Sequence, residues 1–324
     1  MLVPDLLRPG MDSSAKTRLG TPKVLVLLAA FNGSNWIRDQ LQSVLDQHGV
    51  DVQIAIRDDG STDHTTAVVQ QFLNGGRVEL SIADTPTGSA AQNFFSLIRD
   101  TSTDGFDFVA FADQDDIWDR DKLSRACNSI RQGSAAGYSS PVVAFWSDGK
   151  EQILPQEDQT TAADFLFEGA GQGCTFVLAA GFFNRVRTFI ADNQHLTRRV
   201  QFHDWATYAL ARTWGETWHF DATPTMRYRQ HHDNQLGARS GMHGFSKRLH
   251  LLKSGWYKAQ LLALADLCMA AAPGNPGLIE WQKLLQQPDS LKRRAKMARF
   301  CRQAGRRRKT DRIGLVIASI AGWI

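Results

Sequence analysis

Phe108-Val109-Ala110-Phe111-Ala112-Asp113-Gln114-Asp115-Asp116-Ile117-Trp118 joins an apolar run the length of one buried strand to three carboxylates within four positions. A strand that ends this way puts its acids where open α/β sheets bind their ligands, in the crevice outside the carboxyl ends of the strands. Carboxylates crowded together repel one another unless a cation sits among them, and hard oxygen donors suit Mg²⁺ or Mn²⁺. The plainer reading is a turn leading into a helix that starts at Asp119-Arg120-Asp121-Lys122-Leu123.

The same grammar recurs upstream. Residues 24–30 are a continuous apolar run, as a strand buried on both faces should be, and they end at Phe31-Asn32-Gly33-Ser34-Asn35. Trp36, Ile37, Leu41, Val44 and Leu45 then recur at helical spacing. A second strand at residues 52–56 ends in Arg57-Asp58-Asp59-Gly60-Ser61-Thr62-Asp63, where Gly60 supplies a turn and Ser61 or Thr62 is placed to cap the next helix. Asp59, at the mouth of that strand, can accept hydrogen bonds from a base or ribose. A third strand at 78–82 and a helix over 90–98 follow, with Asn93 placed either to face a ligand or to fix the loop. Strand and helix alternate from Val24 to Ile130, which predicts a largely parallel sheet with helices on both faces. No GxGxxG or GxxxxGK[ST] follows the first strand, which disfavours a dinucleotide-binding dehydrogenase and a P-loop enzyme. Gly169-Ala170-Gly171-Gln172-Gly173 reads as a flexible loop into the apolar run 174–180.

The 324 residues suffice for one large α/β domain or two smaller ones. Cys127, Cys174, Cys268 and Cys301 are scattered without metal-finger spacing, so neither a disulfide framework nor a zinc site is indicated, and a reducing cytosol fits. The formal charge of +4 hides an asymmetry: between Lys292 and Arg312 stand eleven Lys or Arg against the single acid Asp311, so that segment carries +10 and the remainder −6. An apolar run at 313–324 follows, shorter than the roughly 20 residues a membrane span requires but suited to an interface beside a polybasic segment. Peripheral attachment to an anionic membrane face is the expectation; a last helix packed on the body with a solvated basic face is the alternative. Nucleic acid is disfavoured because aromatics do not interleave with the basic residues. Residues 1–20 have no sustained apolar run and read as a loose leader rather than a signal peptide.

The ordered set of motifs resembles the family 2 glycosyltransferases, and more narrowly the bacterial rhamnosyltransferase-like members that build surface polysaccharide. The residues that carry the resemblance are Ala30-Phe31-Asn32-Gly33, Asp58-Asp59-Gly60-Ser61-Thr62-Asp63, Gly88, Asn93, Asp113-Gln114-Asp115-Asp116, Gly173-Cys174-Thr175, His203-Asp204-Trp205 and Tyr228-Arg229-Gln230-His231 with Asn234 and Gly237. The resemblance implies a GT-A fold over residues 23–237, with a nucleotide-binding half at about 23–118 and an acceptor half at about 119–237. A leader at 1–22 would precede it and a helical, basic extension at 238–324 would follow. It implies inverting sugar transfer from a nucleoside-diphosphate donor, dTDP-rhamnose or a UDP-hexose, to a glycan or polyprenyl-linked acceptor in O-antigen-like polysaccharide synthesis. The setting would be cytoplasmic, on the inner face of the cell membrane.

By the same resemblance, Phe31 and Asn32 border the nucleotide, with Asn93 near them, and Asp59 contacts the base. Asp113 and Asp115 are a DxD pair for Mg²⁺ or Mn²⁺, with Asp115 the direct ligand. Asp204 is the catalytic base, and Arg229 and His231 fall in a late loop that closes on the diphosphate. Ala206 stands where a second aromatic often follows Trp205, a departure toward the acceptor side. The chemistry is consistent with these roles: a carboxylate between His203 and Trp205 can be partly desolvated and so tuned as a base, and an arginine can clamp a diphosphate bidentately. Two other classes use a similar half. A nucleotidyltransferase would show a glycine- and basic-rich first loop, and a non-catalytic membrane adaptor has no chemical need for acids at 59, 113, 115 and 204 together.

Overall fold

The computed structural model describes residues 20–231 and 250–324. Its strands are β1 (Lys23–Ala30), β2 (Asp51–Asp58), β3 (Val78–Ile82), β4 (Phe108–Ala112), β5 (Ile117–Trp118), β6 (Gly137–Ser139), β7 (Val142–Phe145), β8 (Glu151–Leu154), β9 (Val177–Ala179), β10 (Trp218–Phe220) and β11 (Met226–Arg229). Seven of them form one sheet in the order β3-β2-β1-β4-β9-β6-β10. Strands β1 to β4 are mutually parallel, while β9 runs antiparallel between β4 and β6. The chain turns to one side of β1 to make β2 and β3, then returns to its other side to make β4. Such a reversal opens a crevice at the carboxyl ends of β1 and β4. A second sheet, β5-β11-β7-β8, begins where the first leaves off, so Asp113 to Asp116 stand at the junction of the two.

Alternation along β1 explains how the sheet is covered. Side chains of a strand point to opposite faces in turn. Val24, Val26, Leu28 and Ala30 pack with α1 (Ile37–Leu45) and α4 (Lys122–Gly133) through Ile37, Leu41, Leu123 and Cys127. Leu25 and Leu27 meet the opposite layer, α3 (Ala90–Asp100), α5 (Ala180–Asp192) and α7 (His203–Thr213), through Phe94, Phe183 and Tyr208. The short helices α2 (Thr65–Gln70) and α6 (Gln194–Thr197) lie in the connections. Residues 145–150 are the end of β7 and a tight turn into β8, with Trp146 N donating to the Lys150 carbonyl at 3.0 Å.

The C-terminal helices are α8 (Trp256–Ala271), α9 (Pro276–Gln286), α10 (Leu291–Ala304) and α11 (Lys309–Ile320). Asn275 caps α9 by accepting from Leu278 N, and Ser290 caps α10 by accepting from Arg293 N. Leu261, Leu264, Trp281, Met297, Cys301 and Leu315 enter the same core as α3, α5 and α7, so the extension is docked on the body.

Part of the basic segment is consumed by that docking. Arg307 is buried; it donates to Asp164 at 2.8 Å and to the Gly169 carbonyl at 2.7 Å. The glycine-rich loop, expected to be flexible, is thereby pinned, and Ser139 holds the next carbonyl, that of Ala170, at 2.8 Å. A buried ion pair is costly to break because the remaining charge stays out of water. Arg307→Met should lower stability by about 3 kcal/mol in urea unfolding, whereas Arg308→Met, at an exposed position, should change it by no more than about 0.5 kcal/mol. Equal effects would show that the Arg307 contacts contribute nothing particular.

Candidate active site

The first wall of the crevice is the loop after β1. Asn32 has φ +48°, in the left-handed region that Asn tolerates better than most side chains. The loop is clasped by the stretch after β2: Ser61 Oγ accepts from Asn32 N at 2.8 Å, Thr65 Oγ1 from Gly33 N at 2.8 Å and Asp63 from Ser34 N at 3.0 Å. In return, Asn32 Oδ1 accepts from Thr62 N at 2.9 Å. Asp58, fully buried, accepts from the amides of Gly60 and Ser61 at 3.1 and 2.8 Å. Ser61 and Thr62 therefore do not cap the next helix as expected; α2 starts after His64, and it is Asp63 that accepts from its first amide, Thr65 N, at 2.9 Å. Burial acts to raise the Asp63 carboxyl, but hydrogen bonds from Thr65 and Ser34 outweigh it and hold the group at about 2.

Asp59 and Asn93 are drawn into a second network. Asp59 accepts from Thr87 N and Thr87 Oγ1, each at 2.8 Å, from Gly88 N at 2.9 Å and from Arg57 at 3.1 Å. These four bonds match the acceptor capacity of a carboxylate, so Asp59 anchors the loop at 85–89. Of the two readings open for Asn93, the structure has the loop-fixing one. It is 2% exposed, donates to the carbonyls of Ala30 and Arg57 at 3.3 and 3.1 Å, and accepts from the Arg57 guanidinium at 2.7 Å. Its amide NH₂ is taken up by the carbonyls at the ends of β1 and β2, which ties the two strands together beside the crevice.

The acids after β4 form the floor. Gln114, which the sequence did not single out, reaches back to Phe31, accepting from its N at 2.9 Å and donating to its carbonyl at 2.8 Å. A Cβ on Gly33 would run into that amide. Phe31 itself is 51% exposed at the rim. The Asp113, Asp116 and Cys174 ligand atoms lie within 4.8 Å of one another. Burial, with the charges of Asp115 and Asp204 adding to it, pushes the Asp113 carboxyl up to about 7. Asp116 is fully buried and is likewise raised well above the usual carboxylate range, by burial and then by Asp115 and Asp113. Burial likewise raises the Cys174 thiol, which makes it a poor ligand for a hard cation. Asp116 and Cys174 stand within motifs quoted above, but they are the members of this cluster to which the sequence assigned no role.

Asp115 is held by the late loop. His231 Nε2 meets Asp115 Oδ2 at 2.7 Å, with its ring stacked on Trp36 at 4.1 Å, and Arg229 Nε donates to the Asp115 carbonyl at 2.9 Å. Arg229 N also faces Asp116 Oδ1 at 3.3 Å, and its guanidinium lies over the Phe145 ring at 4.8 Å. Asn234 and Gly237, part of the same motif, lie outside the described residues.

Asp204 occupies the opposite wall, in the first turn of α7. The helix begins at His203 after Phe202, so Asp204 stands inside its first turn and not at the N-cap, and its Oδ1 accepts from Trp205 N at 2.7 Å. Gly173 is what lets it sit there, since a Cβ on that residue would stand 2.9 Å from Asp204 Cβ and 3.0 Å from His203 Nε2. His203 itself lies in the core, stacked on Phe94 at 3.7 Å, and burial lowers its pKa to about 3. It is therefore a neutral prop beneath Asp204.

The structure thus brings Asp113, Asp115, Asp204, Arg229 and His231 to one crevice, with Phe31 and Asn32 on its rim and Asp59 holding the adjoining loop. Asp113 and Asp115 are partly exposed, and their hard oxygens fit Mg²⁺ or Mn²⁺.

Residues 25–193 match the profile described as Glycosyl transferase family 2. The dTDP-rhamnosyl transferase RfbG of Shigella flexneri is 36% identical over 241 residues, covering 74% of this chain and 83% of that protein. The putative teichuronic acid biosynthesis glycosyltransferase TuaG of Bacillus subtilis is 32% identical over 123 residues, 36% of this chain and 47% of its own length. Among solved structures, S. aureus TarS 1-349 aligns with a TM-score of 0.52 at 14% identity, over 93% of this chain and 90% of that one. The mannosyltransferase PcManGT from Pyrobaculum calidifontis, solved with GDP-Man and Mn²⁺, aligns with a TM-score of 0.50 at 16% identity, over 93% and 86%. At such identities the structural likeness speaks to fold alone, an α/β GT-A core with a helical C-terminal extension, as expected. The chain belongs to glycosyl transferase family 2, and it is an enzyme that transfers a sugar from a nucleotide-sugar donor to an acceptor.

Proposed function

We propose that this enzyme is an inverting, metal-dependent rhamnosyltransferase. It takes dTDP-rhamnose as donor and a glycan or polyprenyl-linked saccharide as acceptor, at the inner face of the cell membrane, in O-antigen-like polysaccharide synthesis. The observation that carries the chemistry is the convergence of Asp113 and Asp115 at the end of β4 with Asp204 on the facing wall, close enough for its charge to act on Asp113. The donor is argued from the 36% identity to a relative named as a dTDP-rhamnosyl transferase.

In this reading the base lies against the loop at 85–89, which Asp59 anchors rather than contacting the base itself, and Phe31 and Asn32 border the nucleotide at the end of β1. Asp113 and Asp115 would hold the divalent cation, because Asp116 is fully buried and a diphosphate arriving from solvent cannot reach it. Bound there, Mg²⁺ or Mn²⁺ supplies Lewis-acid neutralisation of the charge that builds on the departing diphosphate. His231 fixes the Asp115 carboxylate, and Arg229 brings a guanidinium to the same end of the crevice. Asp204 takes the proton of the acceptor hydroxyl as that oxygen bonds to the anomeric carbon and the diphosphate oxygen leaves from the opposite face. A single displacement of this kind inverts the centre.

Calorimetry with dTDP, UDP and GDP, with and without Mn²⁺, should give Mn²⁺-dependent binding of dTDP that Asp115→Ala abolishes. Preference for UDP would replace the donor assignment, and metal-independent binding by the variant would remove the cation from it. Asp204→Asn should keep donor binding while kcat falls by about 10²- to 10⁴-fold. A kcat within a few-fold of wild type would reject Asp204 as the base.

A pH dependence follows from Asp113. Its folded pKa of about 7 is above the unfolded 3.8, so between these values the unfolded chain binds fewer protons and stability falls as pH rises. The melting temperature of the metal-free protein should therefore decline between about pH 4 and pH 7 more steeply than that of Asp113→Asn. Added Mn²⁺ should raise it most at the upper end. Parallel curves for the two proteins would show that Asp113 titrates as an ordinary carboxyl.

A further inference from the structure

Within the folded basic segment, four cations are engaged by the protein and four line one side of a helix. Arg293 is spent on the carbonyls of Leu284 and Ile324, Arg307 on Asp164, Arg294 on Asp289 and Arg306 on Asp311. Lys292, Lys296, Arg299 and Arg302 are exposed on α10. Their spacing of four, three and three residues places them along one side of the helix.

Helix α11 lies beside α10, with its C-terminal end near the start of α10: Arg294 donates to the Ile320 carbonyl at 3.3 Å and Ser319 Oγ meets Cys301 Sγ at 3.6 Å. It buries Leu315, Ala318 and Ser319. Ile313, Ile317 and Ile320, again at spacings of four and three, are 61%, 56% and 60% exposed, and Leu291 at the start of α10 is 84% exposed. An isoleucine row more than half in water is not a core face of this body. Among the described residues no helix is long and apolar enough to cross a membrane.

We propose that α10 and α11 together form a docking surface for an anionic phospholipid membrane. The isoleucine row enters the headgroup and acyl boundary, and the lysines and arginines of α10 stay level with the phosphates. An apolar row beside a basic stripe has the chemistry of a helix pair lying in that interface, where charge and buried apolar area act together. A nucleic-acid partner fits less well, because Phe300 is turned inward to stack on Trp281 at 4.8 Å and offers no platform for a base. The assignment rests on the proposed function only in that a lipid-linked acceptor would give membrane docking a purpose. It moves the contact away from Arg307, which the fold uses internally.

The test is co-sedimentation of the full chain with phosphatidylcholine vesicles and with vesicles containing phosphatidylglycerol, alongside Mn²⁺-dependent dTDP binding on the same proteins. Binding to the anionic vesicles alone, weakened by salt, is expected. The triple variant Lys292→Glu, Lys296→Glu, Arg299→Glu should bind them on the order of a hundredfold more weakly or worse. Ile313→Ser with Ile317→Ser should also lose binding, and both variants should melt with the wild type because the replaced side chains are exposed. Wild-type binding by both variants, or no vesicle binding by the wild type, would overturn the proposal. So would an isoleucine variant that changes only self-association, since that would assign the face to a second copy of the chain. Loss of dTDP binding in the wild type would count against the donor assignment and leave the docking result standing.

Discussion

Mutual repulsion of acids in a confined space is the constraint around which this fold is arranged. Asp113, Asp115 and Asp116 follow one another off β4 with Asp204 facing them, and burial raises two of the four above the usual carboxylate range. Such a cluster persists only if its backbone is held from outside. Gln114 ties it to Phe31, Arg229 ties it to β11, and His231 fixes Asp115 from the late loop. A fixed cation lies close by as well: Lys122 is fully buried, its ammonium 3.9 Å from the Trp118 ring centroid, and burial lowers its pKa to about 8 while Cys174 and Asp116 pull it upward. Held in this way, the oxygens are set before any ligand arrives, which reduces the ordering cost of binding.

The rest of the crevice is built by the same means. The loops after β1 and β2 exchange hydrogen bonds through Asn32, Ser61, Thr62, Asp63 and Thr65, so each supplies the other's missing partners. Residues that look like helix caps in sequence are clasps in three dimensions. Gly173 and Gly33 serve by what they lack, since a side chain at either would displace Asp204 or Gln114.

The C-terminal helices extend the core under α7, the helix that carries Asp204. Tyr257 of α8 donates to the Phe167 carbonyl at 2.8 Å, and Arg307 reaches Asp164, which also accepts from Tyr208 and Arg212 of α7. The surface that faces outward on α10 and α11 is therefore mechanically continuous with the wall that holds the proposed base.

Much was legible in the sequence. Apolar runs of strand length, ending at Phe31-Asn32 after β1 and in Asp after β2 and β4, marked these strands and the crevice at their ends, because a buried parallel strand is apolar and turns polar where it leaves the sheet. What the sequence could not decide is which polar groups spend their hydrogen bonds on the protein. Asn93, Ser61 and Arg307 carry the same chemical groups whether they meet a ligand, cap a helix or lock a core. Their partners are Arg57, Asn32 and Asp164, respectively 36, 29 and 143 residues away along the chain. Only the packing of distant segments brings such pairs within hydrogen-bond reach, and no local pattern encodes it.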